Sequence, residues 1–401
     1  MNILQVVSYF VPAQYYGGPA RGAYEISREL VRRGHKVTVY TSDSLDARNR
    51  IQLPPGNTIE MDGIKVRYFK NLSNWLGARH RLFLTTHYFS AVRDHLREFD
   101  VVHIHEYRTL QNIAVHHYAK RYNIPYVLQP RGSLGRMAPK QRLKQVYDAL
   151  WEYKLLKDAS KVLALTKTEV EQCKSMGVSE DKIEIIPNGI DVSAFGDLPK
   201  SGEFRVKYGL KDNQKIILYL GRIYWIKGLD LLANAFASIS KDFSEAKLVI
   251  AGADDGYLPA LKKAVKELEI EEKVLFTGPL YGKDKLEAYV DADVYILPSI
   301  YETFPMTVLE ACACGTPVVV TDRCGIADII NGQVGLVVPH DRNQLSDAIL
   351  RMLTDDKMRQ QFGEKGKALV RQKFDWSKIV EQLEDVYQDV LTKGSTGKKG
   401  N

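Results

Sequence analysis

The stretch Tyr301-Glu302-Thr303-Phe304-Pro305-Met306-Thr307-Val308-Leu309-Glu310-Ala311 decides the reading of this 401-residue chain. It follows an apolar run, Val294-Tyr295-Ile296-Leu297, that stops at Pro298-Ser299, and it runs into a segment of small residues with helical character. Strand, loop and helix in that order form the repeating unit of a parallel α/β sheet. Proline is favoured in a first helical turn because its missing N–H is not needed there, so the helix is expected to open near Pro305. The backbone N–H groups of Met306, Thr307 and Val308 would then be free. Such an end attracts anions through its unpaired amides and the helix dipole. Glu310, about one turn further in, suits a pair of neighbouring hydroxyls such as those of a ribose. Glu302, on the loop, would reach the opposite end of the same ligand. An isolated pair of glutamates is ordinarily a solvated helix flank.

A second constellation removes the isolation. The strand Ile216-Ile217-Leu218-Tyr219-Leu220 leads into Gly221-Arg222-Ile223-Tyr224-Trp225-Ile226-Lys227-Gly228. Arg222 offers a planar fork to phosphate oxygens, Lys227 a flexible point charge, and Gly221 and Gly228 allow close backbone approach. Ala251-Gly252 and Phe276-Thr277-Gly278 follow at later strand ends. Taken in order, these motifs resemble glycosyltransferase family 4, the group 1 transferases, and the resemblance spans nearly the whole chain. It implies the two-domain GT-B fold: two Rossmann-like parallel sheets facing across a cleft, with a C-terminal helix crossing back to the first domain. It also implies retaining transfer of a sugar from a nucleoside-diphosphate sugar to an acceptor hydroxyl. Electrostatic stabilisation of the departing diphosphate by Arg222, Lys227 and the helix start near Met306 would substitute for a divalent metal. No metal and no cofactor beyond the donor is expected. Glu302 would hold donor-sugar hydroxyls and Glu310 the ribose. Many members have glycine after the phenylalanine where this chain has Pro305, which removes a backbone donor and stiffens the loop.

Composition fits this assignment. With 45% hydrophobic residues the chain is long enough for two cores. No apolar run approaches the length of a bilayer crossing, and Met1-Asn2-Ile3-Leu4-Gln5-Val6-Val7 reads directly as a buried strand, so a cytoplasmic location is expected. Four cysteines, Cys173, Cys312, Cys314 and Cys324, suit a reducing compartment. The Cys312-x-Cys314 pair is read as small-residue helix packing rather than as a metal site, and Asp254-Asp255 as turn chemistry. Residues 1 to 200 hold 29 Lys/Arg against 20 Asp/Glu, and residues 201 to 401 hold 27 against 29, so the positive excess lies in the first half. Its densest stretch runs from Arg131 to Lys144, leading into a helix with Leu143, Val146, Tyr147, Leu150 and Trp151 at helical spacing. That flank suggests peripheral contact with the anionic inner face of a membrane, or with the diphosphate of a lipid-linked acceptor. No nucleic-acid recognition module is apparent.

Strands alternate with helices throughout, with first-half strands near Ile3, Lys36, Val66, Val101, Tyr126, Val162 and Ile183 and second-half strands near Ile216, Leu248, Val274, Val294, Val318 and Leu336. The turn-rich Pro187-Asn188-Gly189 and Gly196-Asp197-Leu198-Pro199 mark a linker. The expected divisions are 1–195 for an acceptor domain, 196–375 for a nucleotide-sugar domain, 376–393 for the returning helix and 394–401 for a disordered tail. In the first domain, Gly17-Gly18 follows the first strand without the spacing of the dinucleotide fingerprint and is weighed equally as a ligand contact and as a turn. His105 ends a strand where open α/β sheets place ligands, and family members carry a histidine there facing the donor sugar. Arg131 ends another strand and is a candidate for acceptor or leaving phosphate. Candidate donor contacts are therefore Gly17, Gly18, Arg222, Lys227, Pro279, Leu280, Glu302, Phe304, Pro305, Met306, Thr307 and Glu310, with Glu302, His105, Arg222 and Lys227 as the catalytic set. Pro279 and Leu280 are taken as the base-contacting surface, for a UDP- or GDP-sugar. The acceptor is expected to be a lipid-linked or surface-polysaccharide glycan. A nucleotide-sugar epimerase, a soluble-acceptor sugar synthase and a non-catalytic nucleotide-binding subunit stand as alternatives.

Overall fold

The computed structural model describes residues 1–13, 18–54, 56–134 and 153–396. The chain divides into two compact units, Met1–Gly189 with the segment beginning at Trp376, and Ile190–Asp375. The break falls at Gly189 rather than at residue 195, because Ile190 already bonds within the second unit. Its N–H donates to the Phe374 carbonyl at 2.6 Å. The turn Val192–Phe195 that follows likewise belongs to the second unit.

The first unit carries eight strands: β1 (Asn2–Val6), β2 (Lys36–Ser42), β3 (Thr58–Met61), β4 (Ile64–Phe69), β5 (Val101–His105), β6 (Tyr126–Gln129), β7 (Lys161–Ala164) and β8 (Ile183–Ile185). Their order is β3-β4-β2-β1-β5-β6-β7-β8, parallel except for β3, which pairs antiparallel with β4. The hairpin strand β3 was not anticipated, since Thr-Ile-Glu-Met is short and lacks a fully buried residue. All five residues of β5 are buried, its two histidines included. Near-continuous apolar strands of this kind are what a sheet covered on both faces requires. The strand order reverses at β1/β5, so the carboxyl ends of these two strands open onto the crevice where such sheets bind ligands.

The second unit holds β9 (Lys215–Leu220), β10 (Ala246–Ala251), β11 (Val274–Gly278), β12 (Val294–Leu297), β13 (Val318–Thr321) and β14 (Gly335–Val338), all parallel in the order β11-β10-β9-β12-β13-β14. Here the reversal lies between β9 and β12. The two stretches that decided the sequence reading, after Leu220 and after Leu297, thus leave the sheet from adjacent strands on either side of its switch point.

The last helix, Trp376–Thr396, belongs to the first unit. Ile379, Leu383, Val386 and Val390 are buried, sharing a core with Ile3, Ile26, Val37 and Leu163. It extends three residues beyond the expected 393, through Thr396; the remainder of the expected tail lies outside the described residues. A half-buried ion pair fixes the helix against the helix Gly18–Arg32. Arg33 Nη1 donates to Glu384 Oε2 at 2.7 Å and Nη2 to the Ser377 carbonyl at 2.6 Å, while His35 Nε2 lies 2.6 Å from Glu384 Oε1. Glu384→Ala strands two nitrogen groups at once and is expected to destabilise the protein by about 1–3 kcal/mol, discounted for partial exposure, as read from urea unfolding.

The four cysteines are free and buried. Burial pushes the thiols of Cys173, Cys312, Cys314 and Cys324 up to about 12. Thiolate is the reactive form. Native protein at pH 8 should therefore resist iodoacetamide, whereas urea-unfolded protein takes up four equivalents by mass. Among the described residues, no group of three or more His, Cys, Asp or Glu has the arrangement to hold a metal ion, and no helix is long and apolar enough to cross a membrane.

Candidate active site

The loop leaving β9 is laced to the loop leaving β10. The N–H of Gly221 donates to the Ala251 carbonyl at 3.0 Å, that of Ile223 to Ala253 at 2.8 Å and that of Asp255 to Ile223 at 3.0 Å. Gly252 is obligatory here: a Cβ would sit 1.8 Å from the Gly221 carbonyl oxygen. The lacing brings the Asp255 carboxylate 2.7 Å from Arg222 Nη1, on the surface. The two aspartates read together as turn chemistry therefore part company. Asp254 accepts the N–H groups of Gly256, Tyr257 and Leu258 at 2.9, 2.9 and 3.0 Å, while Asp255 holds the arginine. Nothing local in the sequence signals that second pairing, because Arg222 and Asp255 meet only through the register of β9 and β10.

Beyond Arg222 the chain makes the short turn Trp225–Lys227, and Gly228 then adopts φ 65° to start the helix Leu229–Asp242. Lys227 Nζ bonds to Glu302 Oε2, each side chain about one-sixth exposed. Glu302 is held from behind. Its N–H donates to the Arg323 carbonyl at 3.1 Å, and its carbonyl accepts the Gly325 N–H at 2.8 Å. Phe304 is buried, its ring centroid 6.1 Å from that of Phe374.

The helix runs Met306–Cys314, with Pro305 outside it as the capping residue at φ −82° and ψ 107°. This corrects two expectations. Proline is not in the first helical turn, and the Val308 N–H is not free, since it donates to the Pro305 carbonyl at 3.2 Å. Among the described residues, the N–H groups of Met306 and Thr307 have no acceptor. The Tyr295 hydroxyl lies 3.1 Å from the Leu220 carbonyl oxygen and 2.7 Å from Thr307 Oγ1. A carbonyl only accepts, so Tyr295 donates to Leu220 and receives the Thr307 proton, tying the helix start to the end of β9. Glu310 is already engaged: Lys285 Nζ donates to Oε1 at 2.7 Å and the Tyr289 hydroxyl to Oε2 at 3.2 Å. Both partners come from the helix Gly282–Asp291, and the sequence reading missed them. The spacing of Lys285 and Tyr289 by four marks a shared helix face, but not which carboxylate that face meets.

The remaining second-unit candidates separate by exposure. Leu280 is buried and Pro279 exposed, while the adjacent Tyr281 is the open aromatic of that loop.

In the first unit, Gly17 lies outside the described residues. Gly18 opens the helix Gly18–Arg32 with open space where its Cβ would be, so no steric demand explains a glycine there. His105 is buried, and both ring nitrogens have partners. Arg131 Nε donates to Nδ1 at 3.1 Å, which fixes the proton on Nε2, facing Gln5 Oε1 at 2.5 Å. A hydrogen bond from this ring to a sugar requires Gln5 or Arg131 to give way. Arg131 adopts φ 52° and reaches Asn188 Oδ1 at 2.6 Å with Nη1. Burial and the neighbouring positive charge of Arg131 hold both His103 and His105 well below the ordinary imidazole value, with His103 also acting on His105. Glu106 and Glu169 are raised by burial. The helix expected from Leu143 to Trp151, and most of the basic stretch before it, lies outside the described residues.

The depressed histidines carry a pH dependence. The folded state withholds two protons that the unfolded chain accepts below pH about 6.5, so the stability they contribute is present above that value and is lost as pH falls through it. Each contributes up to about 1.4 kcal/mol per pH unit. The glutamates raised by burial act oppositely, between their ordinary values and their raised ones. Melting temperature should fall on going from pH 7.5 to 5.5, and less steeply in His105→Gln.

Residues 16–194 match the model of Glycosyltransferase Family 4, and residues 200–369 match that of Glycosyl transferases group 1. The chain belongs to this family. Curated glycosyltransferases are similar to it in sequence, and solved structures are similar in fold. An uncharacterized glycosyltransferase of Methanocaldococcus jannaschii is 29% identical over 96% of this chain and 97% of that protein. The alpha-monoglucosyldiacylglycerol synthase of Streptococcus pneumoniae is 30% identical over 64% of this chain and 54% of that protein. Among solved structures, Anabaena Alr3699/HepE in complex with UDP and glucose covers 97% of this chain and 100% of its own, with a TM-score of 0.74 and 19% identity. The family 4 chain described here thus has the α/β fold of the GT-B class, built on two parallel-sheet Rossmann-like domains, and is a glycosyltransferase.

Proposed function

We propose that the protein moves a sugar from a nucleoside-diphosphate sugar to an acceptor hydroxyl with retention at the anomeric carbon and without a divalent metal. The observation that carries this reading is the pairing across the second sheet's switch point: Lys227, from the loop after β9, meets Glu302, from the loop after β12. In this reading the diphosphate lies over the start of the helix Met306–Cys314, facing the N–H groups of Met306 and Thr307. Lys227 and Arg222 neutralise the charge that develops on it as the glycosidic bond breaks. Glu302 then exchanges part of its hold on Lys227 for donor-sugar hydroxyls. Glu310, kept in place by Lys285 and Tyr289, accepts the ribose hydroxyls through its remaining lone pairs. His105 acts as a fixed neutral ring rather than as a proton carrier.

The acceptor is read as a lipid-linked or surface-polysaccharide glycan, met at the inner membrane face. The likeness to an alpha-monoglucosyldiacylglycerol synthase and the basic first half of the chain support it. The test is nucleoside diphosphate release from UDP-, GDP- and ADP-sugars in EDTA, comparing the parent with Glu310→Ala. Release on one donor that survives EDTA and collapses in the variant is the expected result. Release abolished by EDTA and restored by a divalent ion would overturn the metal-free reading, and equal release by both proteins would overturn the ribose assignment.

A further inference from the structure

Between Asp62 and Asp94 the chain contains no carboxylate, while it holds six Lys/Arg: Lys65, Arg67, Lys70, Arg79, Arg81 and Arg93. Four of the nine exposed large hydrophobic residues among the described residues fall in the same interval: Leu72 at 63%, Trp75 at 59%, Leu82 at 36% and Phe89 at 51% exposure. Scattered apolar side chains need no explanation, but a concentration like this one does.

Lys70, Leu72, Trp75, Arg79, Arg81 and Leu82 lie on one excursion from the first sheet; Lys65 and Arg67 belong to β4, and Phe89 and Arg93 to the following helix Tyr88–His95, where Arg93 is paired with Asp94. Past β4 the chain pairs back on itself, the Leu72 N–H donating to the Leu84 carbonyl at 2.8 Å and the Thr86 N–H to Lys70 at 2.9 Å, with the helix Asn74–His80 at the far end. Its base is firmly held. The Asn71 N–H donates to Asp43 Oδ1 at 2.8 Å, Asn71 Oδ1 accepts the Leu84 N–H at 2.9 Å, and Asn74 Nδ2 donates to the Asn49 carbonyl at 2.6 Å. Phe83 packs into a buried cluster with Tyr9, Ala13 and Ala20. The outward apolar side chains are therefore presented by a fixed scaffold. At the foot of the excursion lies a recess of about 190 Å³ lined in part by Arg67, Lys70, Thr86 and His87. Among the described residues, neither Lys70 nor Arg79 is paired with a carboxylate.

We propose that this excursion, together with the helix Tyr88–His95 that follows it, docks the protein on an anionic lipid bilayer, with Leu72, Trp75, Leu82 and Phe89 entering the headgroup region and the basic side chains of Lys70 and Arg79 meeting lipid phosphates. Aromatic and aliphatic side chains interleaved with Lys and Arg, and free of carboxylates, are the chemistry of an interfacial surface. Lysine is depleted in the centres of protein–protein interfaces, which sets a protein partner behind the membrane. Each basic residue near an anionic surface adds roughly fivefold to partitioning. The inference deepens the lipid-linked acceptor reading, on which its use to the enzyme rests, and assigns the contact to residues 70–89 instead of the basic stretch Arg131–Lys144.

The test is co-sedimentation of the full chain with vesicles of phosphatidylcholine alone or mixed with phosphatidylglycerol, beside nucleoside diphosphate release measured without vesicles. The parent should bind the mixed vesicles at least about tenfold more tightly and lose that advantage in high salt. Trp75→Ala with Phe89→Ser, and Lys70→Glu with Arg79→Glu, should each weaken binding at least about tenfold while release stays parental; Val206→Ser, in the second unit, should change neither. A parent that ignores mixed vesicles, or double variants that bind as the parent does, would overturn the proposal. Loss of release in a variant would also overturn it, by placing the patch in the donor reaction. The donor reading fails separately, if the parent releases no nucleoside diphosphate.

Discussion

Lys227→Ala is expected to lower kcat/KM by about 10²–10³-fold, the usual consequence of removing one preorganised electrostatic stabiliser. Two effects combine. The cation closest to Glu302 disappears, and Glu302, only 17% exposed, is left as an unpaired carboxylate beside the place assigned to an anionic ligand. The second effect gives the prediction its own check. Glu302→Gln in the Lys227→Ala background should cost less than it does in the parent, because the stranded charge is already the problem. A coupling of about 1 kcal/mol or more in the double-mutant cycle is expected for groups in direct contact. Arg222→Ala should cost less than Lys227→Ala, since its side chain is 66% exposed and shared with Asp255. A Lys227→Ala enzyme within roughly threefold of the parent would remove the lysine from the leaving-group site.

The second large effect concerns stability. Gly252→Ala puts a methyl group 1.8 Å from the Gly221 carbonyl oxygen, and Gly228→Ala puts one 2.1 Å from the Pro298 carbonyl oxygen while forcing alanine to φ 65°. Both neighbours are backbone at strand ends, so neither can swing aside as a long side chain would. Each substitution should destabilise the protein by about 3 kcal/mol, with Gly228→Ala the worse because left-handed strain adds to the clash. Gly18→Ala, where the space is open, is the control and should stay within about 0.5 kcal/mol of the parent. Urea unfolding measures all three. Equal midpoints for Gly252→Ala and Gly18→Ala would show that the loops after β9 and β10 yield to one another.

The sequence made the two parallel sheets legible because their strands are short apolar runs punctuated by turn residues, as at Val294–Leu297 ending in Pro298. It did not disclose β3, whose pattern is half exposed, nor the break at Gly189, which depends on Ile190 choosing the Phe374 carbonyl. Glu302 and Lys227 were singled out in the sequence by type, order and resemblance, and the structure pairs them with one another. Lys285, Tyr289 and Asp255 were not, because helix face and strand register decide which side chains meet, and both are properties of the folded chain. His105 illustrates the reverse. It ends β5 beside the switch point of the first sheet, as its place in the sequence suggested, yet Gln5 and Arg131 already satisfy its ring, and no spacing in the sequence announces that. The acid-free interval from Gly63 to Arg93 was visible throughout, but only the exposure of Trp75 and Phe89 gives it meaning.

The placement of the helix Trp376–Thr396 in the first unit bears on how the chain is made. The second unit, Ile190–Asp375, is continuous and can close as soon as it clears the ribosome. The first cannot, although it is synthesised earlier, because Ile379, Leu383 and Tyr387 belong to the same core as Ile3 and Val37. During translation the amino-terminal half must wait with part of its apolar interior open while the other half matures, a long-range closure that slows folding and prolongs aggregation risk. A nascent chain whose second unit has just cleared the ribosome, with the helix Trp376–Thr396 still inside it, would therefore hold a finished second unit and an unfinished first one.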